Sequence, residues 1–142
     1  MHAWKERGVR RASLLAADLI TSLIEAPRVD VVTAVPADGE RLLRRGYHPA
    51  ERLARELASR WHLPASDLLV RTQASPRQTG LRLDERRRNV VGAFAARGAV
   101  PHAVVLVDDV YTTGATVSAA AGALRAAGAR TVRVLTFART VR

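Results

Sequence analysis

The sequence contains no cysteine among its 142 residues. That excludes a disulfide framework, a cysteine-built zinc site and a thiol nucleophile. Lysine is almost missing as well: Lys5 stands alone, so the 23 basic residues are otherwise arginine. Aromatic residues make up 4% of the chain, too few for a row of base-stacking platforms. No apolar run approaches the roughly 18 residues that a membrane span needs. Neither G-x-x-x-x-G-K-[ST] nor G-x-G-x-x-G occurs, so nucleoside-triphosphate and dinucleotide readings lack their motifs. His2, His62 and His102 are scattered without the spacing of metal ligands.

What remains is an ordinary globular balance, 48% hydrophobic and 25% charged, at a length that suits one core. The expected organisation is a single domain over 1–142, with an N-terminal amphipathic helix in 1–27 and a core from 28. The net charge of +10 points to phosphate-rich partners, whether nucleotides, sugar phosphates or nucleic acid. Arginine suits such partners because its planar fork makes bidentate contacts, although arginine and alanine richness also follows from a codon bias. Arg10-Arg11-Ala12-Ser13-Leu14-Leu15 looks like a twin-arginine export patch, but Asp18 and Glu25 interrupt the apolar stretch and no small-x-small cleavage site follows. Leu15, Leu19 and Leu23, with Leu14 and Ile24, instead recur at helical spacing. They predict an amphipathic helix docked on the domain, in a cytoplasmic protein.

Val29–Val35 reads as a buried strand and Pro36–Gly46 as a loop carrying Arg41, Arg44 and Arg45. A helix follows, with Pro49 in its first turn and an apolar face of Ala50, Leu53, Ala54, Leu57, Ala58 and Trp61. Leu68–Val70 is a short strand. The stretch 71–88 holds six arginines, at 71, 77, 82, 86, 87 and 88, and few apolar residues. A loop this long in a compact domain is functional or mobile, with a helical turn around Leu83–Asn89. Val90–Phe94 and Ala103–Val107 read as strands, Ala115–Ala127 as a helix closed by Gly128, and Thr131–Phe137 as a final strand. Strands alternating with helices predict an α/β fold, a mostly parallel sheet flanked by helices.

The chemistry is concentrated in 104–116, Val-Val-Leu-Val-Asp108-Asp109-Val-Tyr-Thr112-Thr113-Gly114-Ala115-Thr116. Ligands of open α/β sheets sit beyond the carboxyl ends of strands, and this segment puts two acids at such an end. It continues into a Thr/Gly turn at a helix N-terminus, where backbone N–H groups and the helix dipole make an anion site without a basic side chain. Thr112, Thr113 and Thr116 add hydroxyls, and Gly114 allows close backbone approach. Carboxylates accept hydrogen bonds from vicinal ribose hydroxyls while the turn holds a phosphate. Together they describe a 5-phosphorylated ribose.

This segment resembles the phosphoribosyl-pyrophosphate signature of type I phosphoribosyltransferases. Two further stretches resemble the ComF-type competence family: Arg45-Gly46-Tyr47-His48-Pro49-Ala50-Glu51 followed by Leu53-Ala54, and the spacing of Arg71, Thr72, Gln78, Leu81, Arg86, Asn89 and Gly92-Ala93-Phe94. Two departures stand out. Members commonly carry a four-cysteine zinc module at the N-terminus, and His48-Pro49 replaces the usual Asn-Gln, giving a poorer helix cap.

The resemblance implies a type I phosphoribosyltransferase-like fold and the following roles. Asp108 and Asp109 hold the ribose hydroxyls, and Thr112, Thr113, Gly114, Ala115 and Thr116 take the 5-phosphate. Pro36, Ala37 and Arg41 lie in the pyrophosphate loop. The 71–88 loop is the lid, with Gln78 and Arg87 in it and Arg86 neutralising the leaving pyrophosphate. Mg2+ enters with the ligand, bridging pyrophosphate and ribose oxygens rather than sitting in a protein cage. The implied reaction is phosphoribosyl transfer from phosphoribosyl pyrophosphate to an acceptor that no sequence feature names. The rival reading is a non-catalytic accessory of DNA uptake that binds single-stranded DNA or competence proteins. Homodimerisation is left open by both.

Overall fold

A computed structural model describes residues 2–72, 92–111 and 113–139. In chain order it comprises α1 (His2–Leu23), β1 (Val31–Ala34), α2 (Gly39–Arg45), α3 (Pro49–Trp61), β2 (Leu69–Arg71), β3 (Phe94–Ala96), β4 (Ala103–Tyr111), α4 (Ala115–Ala126) and β5 (Thr131–Arg139). β1, β4 and β5 form a parallel sheet in the order β1-β4-β5, and β2 and β3 pair antiparallel. The segment after α3 adds to the free edge of β1, where Val32 N–H donates to the Pro64 carbonyl at 2.9 Å and Val32 bridges Ala65.

β4 organises the interior because it is buried on both faces. Val104 and Leu106 point to one side, into a cluster with Val117, Ala120, Ala121 and Leu124 of α4 and with Leu69 and Phe94. Val105 and Val107 point to the other, against Leu53, Leu57 and Trp61 of α3 and Ala16 and Ala17 of α1. Side chains alternate across a strand, so a strand covered on both faces needs the unbroken apolar run seen at 103–107. Helix α3 buries the six residues its periodicity predicts, Ala50, Leu53, Ala54, Leu57, Ala58 and Trp61. Full burial of a leucine such as Leu57 is worth roughly 1.5–3 kcal/mol.

Four expectations change. Residues 39–45 are helical rather than loop: Asp38 caps α2 by accepting from Glu40 N–H at 3.2 Å, and Gly46 closes it in the left-handed region. Of the strand expected at Val90–Phe94, residues 90 and 91 lie outside the described residues; the described strand is Phe94–Ala96, its register set by pairing Leu69 with Ala96 and Arg71 with Phe94. β4 does not stop at Val107 but runs to Tyr111, because β5 continues beside it and pairs Asp108 with Thr136 and Tyr111 with Arg139. Helix α1 does dock, but not by its leucines. It turns Ser13, Ala16 and Ala17 inward, with Ile20 packed beside them. Leu15, Leu19 and Leu23 remain 68%, 56% and 77% exposed. Small side chains let the α1 and α3 backbones approach closely, and an ion pair from Arg60 to Asp18 at 2.8 Å holds that register. The helical turn expected around Leu83–Asn89 lies outside the described residues. No described helix is long and apolar enough to cross a membrane.

Candidate ribose-phosphate site

Three segments converge at the carboxyl end of the parallel sheet. β1 stops at Ala34, opposite Val107, and Val35 N–H makes a last bond to the Val107 carbonyl at 2.9 Å. Asp108 and Asp109 therefore follow the point where β4 loses its β1 neighbour, while β5 still holds their backbone. The pair sits at a step in the sheet, on a strand paired on one side.

The two acids are not equivalent. Asp108 is buried, and its Oδ1 accepts from the Asp109 backbone N–H at 2.9 Å. Burial first, then the Asp109 side chain beside it, push the Asp108 carboxyl up to about 6. The positive charge of Arg71 opposes the shift. Asp109 is half-buried. Desolvation penalises the ionised form more than the Arg71 charge offsets it, so the site holds an acid that gains from a ligand offering hydroxyl donors or a cation.

Beyond the acids the chain turns into α4. Gly114 sits at φ 75° as the N-cap and supplies no side-chain cap, a backbone conformation that a Cβ would strain. Thr113 is exposed, and its Oγ1 accepts from Ala115 N–H at 3.3 Å. Ala115 and Thr116 are half-buried in the first turn. The opening N–H groups of a helix have no intrahelical acceptor and carry the positive end of its dipole. This turn can therefore take an anion. Thr112, which was expected to contribute a hydroxyl, lies outside the described residues.

The loop after β1 reaches the same place. Pro36 and Ala37 are half-buried, and the Pro36 carbonyl accepts from Arg71 Nε at 2.9 Å. Arg71 also stacks its guanidinium 4.8 Å over the Phe94 ring. One arginine thereby joins the loop, the β2–β3 hairpin and the field around Asp108. Sequence reading placed Arg71 at the start of an arginine-rich loop and, with Phe94, in the ComF-type spacing, without a role; the two residues pair across β2 and β3. Arg41 falls within α2. Arg86, Arg87 and Gln78 lie outside the described residues.

His48 is the other residue that sequence reading undervalued. Its Nδ1 accepts from Glu51 N–H at 2.8 Å and caps α3, so imidazole does the work of the asparagine it replaces. Burial lowers its pKa below 6.5, against the opposing charges of Glu51 and Asp109. His48 thus stands within electrostatic reach of the acid pair. It also lines an open cleft of about 550 Å3 with Arg10, Tyr47, Arg52 and Arg55, which brings cations toward the same end of the sheet.

Among the described residues there is no group of three or more His, Cys, Asp or Glu side chains that could hold a metal. The donors at the step are two carboxylates. Mg2+ retains several waters and takes oxygens from phosphate ligands, so the residues present fit an ion brought in by a ligand.

Residues 42–140 match the phosphoribosyl transferase domain family. The DNA utilization protein YhgH of Escherichia coli O157:H7 is 37% identical over 139 residues, covering 92% of this chain and 61% of that protein. Competence protein F of Haemophilus influenzae is 32% identical over 142 residues, covering 96% of this chain and 62% of that protein. The chain spans about three fifths of the length of these curated relatives. Among solved structures, the glutamine phosphoribosylpyrophosphate amidotransferase from B. subtilis superposes with a TM-score of 0.59 at 22% identity, covering 88% of this chain and 26% of that one. A second structure, titled as the allosteric regulatory enzyme of purine biosynthesis, superposes equally well at 24% identity, over 91% of this chain and 25% of that one. These two likenesses are of fold. From the family match and the relatives that extend over nearly its whole length, this chain belongs to the phosphoribosyl transferase domain family, as a ComF-type member.

Proposed function

We propose that this chain binds phosphoribosyl pyrophosphate together with Mg2+ and transfers the phosphoribosyl group to an acceptor. The observation that carries the reading is the step in the sheet, where a paired, partly desolvated Asp108–Asp109 couple is followed directly by an N-terminus of α4 that its own N-cap leaves open. In this reading the carboxylates accept hydrogen bonds from the ribose 2- and 3-hydroxyls. The N–H groups and hydroxyls of residues 112–116 receive the 5-phosphate. The Pro36–Ala37 backbone, with Arg41, faces the pyrophosphate. Gln78, Arg86 and Arg87 belong to a covering segment that keeps water from an oxocarbenium-like centre. The bond from C1 to pyrophosphate breaks, a bond from C1 to the acceptor nucleophile forms, and the acceptor gives up a proton. Mg2+ supplies charge neutralisation of the pyrophosphate when bound.

A second reading concerns the biological setting. The relatives are named for competence and DNA utilization, and a net charge of +10 suits a polyanion. We infer a role in DNA uptake, with single-stranded DNA or other competence proteins as partners.

Thermal unfolding with and without Mg2+ and phosphoribosyl pyrophosphate tests the first reading. Ligand at about 100 times its dissociation constant stabilises by roughly 2.7 kcal/mol, which raises the midpoint by about 3–8 °C in a domain of this size. Asp109→Ala removes a charge-assisted hydrogen bond of roughly 1.5–3 kcal/mol and is expected to weaken binding about 10- to 100-fold. No shift at saturating ligand in the unaltered chain would sink the proposal, and a shift that survives Asp109→Ala and Asp108→Ala would displace it to another site.

A further inference from the structure

Helix α1 has two apolar stripes, and the fold uses one of them. Ser13, Ala16, Ala17 and Ile20 pack on α3 and the sheet. A second stripe farther round the helix, made by Gly8, Ala12, Leu15, Leu19 and Leu23, faces solvent. Three leucines more than half exposed along one helix face form the sort of contiguous patch that marks an interaction surface.

The order of residues along that stripe says what fits it. Its N-terminal half is small, Gly8 and Ala12, and its C-terminal half is large, Leu15, Leu19 and Leu23. An exposed glycine inside a helix costs roughly 1 kcal/mol relative to alanine. Among the described residues nothing explains it, since none of their atoms lies within 4 Å of a Cβ built at Gly8. The charges beside the stripe follow the same polarity. Arg11 flanks the small half and makes no ion pair among the described residues, whereas Asp18 flanks the large half, its side chain 63% exposed despite its bond to Arg60.

We propose that this stripe is the contact face of a homodimer in which α1 meets α1 of a second copy antiparallel, about a two-fold axis between Ala12 and Leu15. In that arrangement Leu15 lies over the partner's Ala12 and Leu19 over the partner's Gly8, and symmetry repeats both contacts. These two layers, each repeated by symmetry, set a large residue against a small one, as close antiparallel helix packing requires. Arg11 comes beside the partner's Asp18, again twice. A two-fold contact must be self-complementary, residue i meeting j as j meets i, and here size and charge both satisfy that condition. One helix pair buries less than the roughly 1,200–2,000 Å2 of a standard stable complex, so the association is expected to be weak and reversible.

Sedimentation velocity on the 142-residue chain, over a series from low micromolar to several hundred micromolar, tests this. The unaltered chain is expected to move from monomer to dimer across the series. Leu19→Glu and Gly8→Leu should both remain monomeric. Because both positions are exposed and leucine is a better helix former than glycine, their melting in dilute solution should not fall, which separates lost association from lost folding. Arg11→Glu should weaken dimerisation about tenfold by placing like charges together, and Arg11→Ala should weaken it less. A chain that stays monomeric throughout overturns the proposal and leaves the stripe to a different partner. A dimer indifferent to Leu19→Glu and Gly8→Leu overturns it too, and an Arg11→Glu variant that dimerises as tightly as the unaltered chain overturns the antiparallel arrangement.

Discussion

Asp108 carries an energetic conflict that a ligand would resolve. Its carboxyl is raised from 3.8 to about 6 in the folded chain, chiefly by burial. A raised carboxylate contributes nothing at pH values below its unfolded pKa. Its penalty grows as pH climbs from about 4 and is complete once pH passes the folded value near 6. At neutral pH the penalty is on the order of 2–3 kcal/mol. Asp108→Asn keeps the acceptor for the Asp109 N–H and removes the charge. It is expected to raise the melting temperature of the ligand-free protein at pH 7.5 by about 3–8 °C while abolishing the shift produced by phosphoribosyl pyrophosphate. A lower melting temperature would mean that the carboxylate is stabilised where it sits, and the burial argument would fail. The same shift gives a pH dependence to binding. A ligand that needs the ionised pair must drive a proton off Asp108 below pH 6, so affinity measured by calorimetry should be flat above about pH 7 and fall below 6 by up to about tenfold per unit.

At the scale of elements, α3 shows how a local substitution is absorbed. His48 caps the helix only when Nδ1 is unprotonated, because an N–H cannot accept from Glu51. Its folded pKa is depressed, so its contribution to stability is present above the unfolded value of 6.5 and is lost as pH falls through the lower folded value. His48→Ala should cost about 1 kcal/mol at pH 8, and His48→Asn should cost little. Chemical denaturation at pH 8 and again at pH 5 reads both: the deficit of His48→Ala should shrink at the lower pH, and an undiminished deficit would show that the ring acts by packing. The same element scale explains which readings of the sequence moved. The face of α3 was legible to the residue because one amphipathic stripe leaves one way to bury it. Helix α1 has two stripes, and periodicity cannot rank them. The end of β4 at Tyr111 depends on a partner strand 28 residues later in pairing distance, Tyr111 with Arg139, which no local pattern in Val-Asp-Asp-Val-Tyr encodes.

For the whole molecule, the charge of +10 is a property of composition that operates at long range. Binding of single-stranded DNA, followed by fluorescence anisotropy, is expected to weaken linearly on a log–log plot against salt with a slope of about −0.7 for each phosphate neutralised. A slope near zero would remove electrostatics as the basis of the DNA-uptake reading. Composition, the apolar strand runs alternating with helices and the run from Val104 to Thr116 were enough to determine an α/β fold, the acid pair and the turn beside it, because each is written in contiguous residues and local physics. Only the folded chain decided the rest. It stops β1 one residue pair before Asp108, so that the acids stand at a step in the sheet, and it buries Asp108 there. It carries Arg71 to the Pro36 carbonyl and His48 into the field of Asp109, and it turns the leucines of α1 outward. Each of these depends on which distant surfaces pack closest, and a single sequence states the surfaces without stating which of them meet.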